Sequence, residues 1–141
     1  LNDLFIAYRD FWGQFTNPFT NQPVPAFQDK ALVRIDSTWR APEPPYIVYQ
    51  IVQPPFFDST QMSADIYNTQ PGTVGNFAVV SAIIKQVEAL IPEEIGLRLP
   101  VGNNGFVRLK RGSPWAITLN DNDDIHTTRG LLNIIVENYT L

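Results

Sequence analysis

The sequence predicts an α+β fold, strands in hairpin order set against two amphipathic helices, and three observations carry that expectation. Apolar residues recur at helical spacing near the start and again between Thr73 and Ile91, several other segments alternate at period two, and Pro, Gly and Asn/Asp clusters punctuate the boundaries. With 141 residues, 44% of them hydrophobic and 17% charged, a single domain spanning residues 1–141 is expected, with a real core and little charge to blanket its surface.

Leu4, Phe5, Tyr8, Phe11, Trp12 and Phe15 fall on one helical face, while Asp3, Arg9, Asp10 and Gln14 lie elsewhere on the wheel. This predicts a first helix with an aromatic stripe. From Thr16 to Asp29 the chain is rich in Pro, Asn, Gln and Thr and reads as an extended loop. "KALVRID" alternates as a short strand, and Trp39 follows in the loop "STWRAPEPP", away from any apolar pattern, where it is placed to anchor a partner.

Residues 44–55, "PPYIVYQIVQPP", form a strand bracketed by prolines, which cannot donate to a ladder. Tyr46, Val48 and Val52 point one way and Ile47, Tyr49 and Ile51 the other, so both faces are apolar. A small domain covers one such face itself; the other needs a cover from elsewhere. "STQMSADIYN" alternates more cleanly, with Met62, Ala64 and Ile66 on its apolar face.

Val74, Phe77, Val80, Ile84, Val87 and Ile91 mark a long central helix, with Thr73 as expected N-cap and Pro92 as its stop. The stretch 96–111, "GLRLPVGNNGFVRLKR", reads as a hairpin with Val101 opposite Val107, Leu99 opposite Leu109 and a three-residue loop Asn103, Asn104, Gly105. That register sets Arg98 opposite Lys110 with Arg108 on the same face. Either an acidic partner covers these cations or they are simply solvated. Trp115, Ile117 and Leu119 alternate in a further strand, and the last one carries Leu132, Ile134 and Val136 on one face and Leu131, Ile135, Tyr139 and Leu141 on the other, with a bulge expected at Arg129 and Gly130.

The chemistry these residues offer is sparse. Ten basic against fourteen acidic residues argue against tight duplex binding, and the absence of cysteine excludes thiolate sites and disulfides. His126 is the only histidine, so a serine triad or histidine metal pair has to use it, and no G-x-S-x-G, H-E-x-x-H or phosphate-loop motif occurs. "DNDDIH" offers Asp121, Asp123, Asp124 and His126 to a hard cation, but without the glycine and distal glutamate of an EF-hand; an acidic turn between strands fits the same residues. No enzyme activity, cofactor or metal is expected, and no run approaches the roughly 18 apolar residues that cross a bilayer.

An aromatic first helix, the strand "APEPPYIVYQIV", the alternating "QMSADIYN", one long helix and the closing "RGLLNIIVENYTL" together resemble the tail terminator proteins of long-tailed bacteriophages, from about residue 2 to residue 141. The resemblance implies a mixed, mainly antiparallel sheet packed against an N-terminal helix and one long central helix. It implies a homo-oligomer, a hexameric ring in the virion neck that caps the tail tube protein, stops tube growth and meets the head-tail connector protein, after assembly in the host cytoplasm. DNA would pass through the channel without specific binding. Contacts to neighbours or tube are then expected at Arg98, Arg108, Lys110, Trp39, Tyr49, Ile135 and Tyr139, and Asp121, Asp123 and Asp124 would line the channel. Strand edges left open in one subunit would pair with another. The loop 16–29 matches no feature of that family. A head completion protein of the same neck and, in a different class, a carbohydrate-binding module are the competing readings.

Overall fold

The computed structural model describes residues 2–52, 59–70, 72–73, 75–121 and 124–139, excepting the side chains of 2, 35, 52, 59, 138 and 139. Helix α1 (Asn2–Trp12) stops where Gly13 donates its N–H to the Arg9 carbonyl at 2.9 Å. Its stripe works as the spacing predicts: Tyr8, Phe11, Trp12 and the following Phe15 are buried, while Phe5 stays 38% exposed at the margin. Trp12 anchors the helix to the sheet, stacking on Tyr49 at 5.9 Å and donating from Nε1 to the Met62 sulfur at 3.3 Å.

The segment 16–29 is more than the expected loop. Strands β1 (Thr16–Asn17) and β2 (Gln22–Pro23) form a small antiparallel ribbon, and β3 (Ala26–Gln28) joins the main sheet. Strands β4 (Val33–Ile35) and β5 (Thr38–Arg40) make a second two-stranded hairpin, so Trp39 sits on a strand rather than in a loop. The hairpin turns through Asp36 and Ser37, both at positive φ, 52° and 64°.

The remaining elements are β6 (Tyr46–Val52), β7 (Ser59–Thr69), α2 (Ala78–Leu90), β8 (Leu97–Val101), β9 (Gly105–Asn120) and β10 (Thr127–Tyr139). The six-stranded sheet has the order β3-β6-β7-β10-β9-β8, parallel only between β3 and β6. An α+β fold with a mixed, mostly antiparallel sheet is therefore what the sequence builds.

Both helices pack on one face. Ile47, Tyr49, Met62, Ala64, Ile66, Leu132, Ile134 and Val136 point into it and are buried, matching the parity read from the alternation. Helix α2 lays Val80, Ile83, Ile84 and Val87 on this surface, each fully buried aliphatic stabilising the fold by about 1.5–3 kcal/mol. Gly130 makes that approach possible, because a Cβ there would lie 2.5 Å from Val80 Cγ1 and 2.8 Å from Ile84 Cδ1.

Three local expectations are corrected. Helix α2 starts at Ala78, not near Thr73: Asn76 Oδ1 accepts from the Ala78 N–H at 3.0 Å, and Thr73 lies in a preceding bend; Val74 is outside the described residues. The β8–β9 hairpin pairs Leu97 with Leu109, Leu99 with Val107 and Val101 with Gly105, a slip of two residues. Gly102, at φ 63°, supplies the left-handed position in place of Gly105, and the turn is Gly102, Asn103, Asn104. Finally, β9 runs on through Gly112–Trp115 as one strand, and the irregularity lies where Leu132 and Ile134 pair with Ala116 and Arg111, leaving those four residues opposite Asn133; Arg129 and Gly130 are in regular register.

Candidate interaction surface

Alternation leaves the sheet with a second face, and among the described residues no helix packs against it. Tyr46, Val48 and Gln50 of β6, Gln61, Ser63, Asp65 and Tyr67 of β7, Arg129, Leu131, Asn133, Ile135 and Glu137 of β10, and Arg108, Lys110, Ile117 and Leu119 of β9 are brought together there by the observed registers. Most are half-buried by their own neighbours, and Gln50, Gln61 and Leu119 are exposed. Residues 29–32 lean over one part, closing a groove of about 390 Å³ above Tyr46, Val48 and Tyr67. Beside the irregularity in β9, a cavity of about 450 Å³ opens between Gln61, Ser63, Ser113, Pro114, Asn133 and Ile135.

Two ion pairs lie across this face. Arg129 reaches Asp65 at 2.7 Å, with its guanidinium 5.3 Å from the Tyr67 ring, which stacks on Tyr46 at 5.1 Å. Asp65 holds the guanidinium protonated more firmly still, and burial first, then the Asp121 carboxylate, pushes the Tyr46 hydroxyl up. Lys110 meets Glu137 at 2.9 Å. An acidic partner for the basic face thus comes from the chain itself, for Lys110.

The corrected register places Arg98 opposite Arg108, not Lys110. Their repulsion is relieved by separate engagements: Arg98 lies over the Phe106 ring at 4.2 Å, and Arg108 Nη1 donates to the Ile95 carbonyl at 3.1 Å. Ile135 is on the uncovered face beside the cavity. Tyr49, expected at an interface, is instead 3% exposed and part of the subunit core, stacked on Trp12. Trp39 is 62% exposed. The side chain of Tyr139 lies outside the described residues.

The acidic turn divides. Asp123 is outside the described residues. Asp121 sits half-buried near Tyr46, Tyr67 and Arg129, whose ionisation it influences. Asp124 orders the turn: its carboxylate accepts from the His126 N–H at 2.9 Å and the Thr127 hydroxyl at 2.8 Å, which lowers its pKa. His126 donates from Nδ1 to the Thr73 carbonyl, so its ring ties the segment before α2 to the β9–β10 turn. Among the described residues no three His, Cys, Asp or Glu side chains are grouped to hold a metal, and no helix is long and apolar enough to cross a membrane.

One sheet edge carries a residue that cannot donate, Pro100 within β8, and the other is the three-residue β3, which Pro25 immediately precedes. Two features escaped the sequence reading. The Arg129–Asp65 pair joins residues 64 positions apart, visible only through the β7–β10 register. Arg111, which turns inward to the end of α2, was hidden by the irregularity that follows it. No family model matches this chain, and no curated protein matches it in sequence.

Proposed function

We propose that this chain is a structural subunit of a tail-terminator-like ring, capping a phage tail tube and joining it to the head connector. The observation that carries this reading is the uncovered sheet face: a domain that packs both helices on one side leaves Tyr46, Val48, Ile117, Leu131 and Ile135 on the other. Apolar residues in two-sided strands are what an obligate assembly buries against neighbours, and the mix of aliphatic, amide and paired charged groups suits a protein interface. The order of elements and the short strings that resemble terminators add the family, and with it the virion neck as location.

Electron microscopy of lysates from a phage with this gene disrupted tests the role. Abnormally long tails unattached to filled heads are expected, because tube growth has lost its stop. Normal-length tails beside leaking heads move the protein to the head side of the neck, and intact infectious particles overturn the assembly reading. For the face itself, Ile135→Asp should abolish ring formation or tube binding while leaving the melting temperature of the isolated subunit within a few degrees.

A further inference from the structure

The β4–β5 hairpin stands apart from the main sheet and carries an aromatic side chain into solvent. Arg34 and Trp39 are directly opposed in its register, so they share one face, and Trp39 is 62% exposed with Arg34 and Arg40 exposed beside it. Large exposed tryptophans backed by arginine are the residues that most often anchor protein interfaces. The hairpin is inserted between β3 and β6, at one edge of the sheet.

At the other edge, the loop leading from α2 into β8 presents the complementary chemistry. Glu93 and Glu94 are exposed, and Ile95 follows at 69% exposure. The loop is held in place: Arg108 binds the Ile95 carbonyl at 3.1 Å, Gly96 donates to the Pro92 carbonyl at 2.9 Å, and Gly96, at φ 74°, sits so close to β9 that a Cβ would lie 2.3 Å from the Leu109 carbonyl oxygen. Among the described residues, Arg34, Arg40, Glu93 and Glu94 take no part in the ion pairs within the subunit.

We infer that the Trp39 and Arg34 face of one copy docks onto the Glu93-Glu94-Ile95 loop of a second copy. Trp39 covers Ile95, and Arg34 faces the glutamates. The two surfaces occupy different places on one subunit, so the contact is head-to-tail, the kind that closes into a ring when the rotation allows. Pro100 in the edge strand β8 points the same way, since a copy meeting that edge does so through side chains rather than a continued ladder. The inference rests on the ring reading and names the subunit contact within it.

Sedimentation velocity of the purified full chain over a concentration and salt series, with and without tail tubes, tests it. The wild type should associate, more weakly at high salt. Trp39→Ala, Arg34→Glu and Glu94→Arg should each raise the dissociation constant at least about tenfold with unchanged circular dichroism, and the Arg34→Glu/Glu94→Arg double variant should regain much of the loss. Wild-type association that survives all three single variants overturns this contact and leaves the ring reading standing. Loss in the single variants without recovery in the double one overturns the charge pairing. A chain that stays monomeric throughout, tubes included, overturns both the contact and the ring.

Discussion

Arg111 caps a helix to which it does not belong: from β9, its Nε donates to the Ile91 carbonyl at 2.8 Å and its Nη2 to the Glu88 carbonyl at 3.0 Å. Helix α2 has no basic residue in its own last turn, so this strand guanidinium supplies the carbonyls at its C-terminal end with charged donors, adding to the Ile91 N–H on Glu88, and places positive charge at the negative end of its dipole. The indole of Trp115 lies 5.5 Å from the guanidinium and donates to Glu88 Oε1 at 3.0 Å, fixing both partners. Arg111→Ala should cost about 2–3 kcal/mol in urea unfolding, from two charge-assisted bonds to half-buried carbonyls. Arg111→Lys should recover only a fraction, because a single ammonium does not reproduce the fork. A loss below about 0.5 kcal/mol would show that water replaces the cap at little cost.

Gly130 predicts a second sensitivity. Its missing side chain is what lets α2 settle on β10, with Val80 and Ile84 occupying the space a Cβ would need. Gly130→Ala should destabilise by about 1–3 kcal/mol through overpacking. Adding Val80→Ala should cost less in the Gly130→Ala background than alone, a coupling that thermal melts of the four proteins would measure. Strict additivity would mean that the helix moves away without resistance.

How much of this was legible in the sequence depends on which physical signal fixes each feature. Burial parity survives errors of register: the β8–β9 hairpin slipped by two residues, yet Leu97, Leu99, Val107 and Leu109 kept their face, because a slip of two preserves alternation. The turn decided the register, and Gly102 was not distinguishable from Gly105 by spacing. Strands β1, β2 and β3, two or three residues long among prolines, carry no period and took their form from tertiary contacts. One such contact is Gln86 of α2, which accepts from the Thr16 N–H at 3.2 Å and donates to its carbonyl at 2.6 Å, as a neighbouring strand would. The sheet face that no helix covers among the described residues was foreshadowed by the double-sided "YIVYQIV", but Tyr49 took the inner side, where Trp12 stacks on it.

The β4–β5 turn offers a gain rather than a loss. Asp36 and Ser37 both hold left-handed backbone, which costs a residue with a Cβ about 1–2 kcal/mol. Ser37→Gly removes that cost and adds back part of it as chain entropy, so a net local stabilisation of about 0.5–1 kcal/mol is expected. Because the hairpin is a separate two-stranded unit, hydrogen exchange at Val33–Arg40 should slow several-fold while exchange in β7 and β10 stays unchanged. Faster exchange in the hairpin would show that the serine side chain holds the turn.

Tyr8 makes the fold sensitive to alkaline pH. Its side chain is fully buried beside the sheet, and burial pushes the hydroxyl up from 10.0 to about 12. The folded state therefore holds this proton more tightly than the unfolded chain does. Below pH 10 both states keep it and no stability depends on it; above pH 10 the unfolded chain ionises first, and stability falls as pH rises toward about 12. Unfolding free energy measured from pH 8 to 12 should decline with a slope approaching one proton from this group, superposed on Tyr46, Tyr49 and Tyr67, whose hydroxyls burial also pushes up. Tyr8→Phe should remove that component and leave the profile flatter by the same amount. An unchanged alkaline limb in Tyr8→Phe would mean that the phenol reaches solvent before the core opens, and that α1 lifts from the sheet ahead of global unfolding.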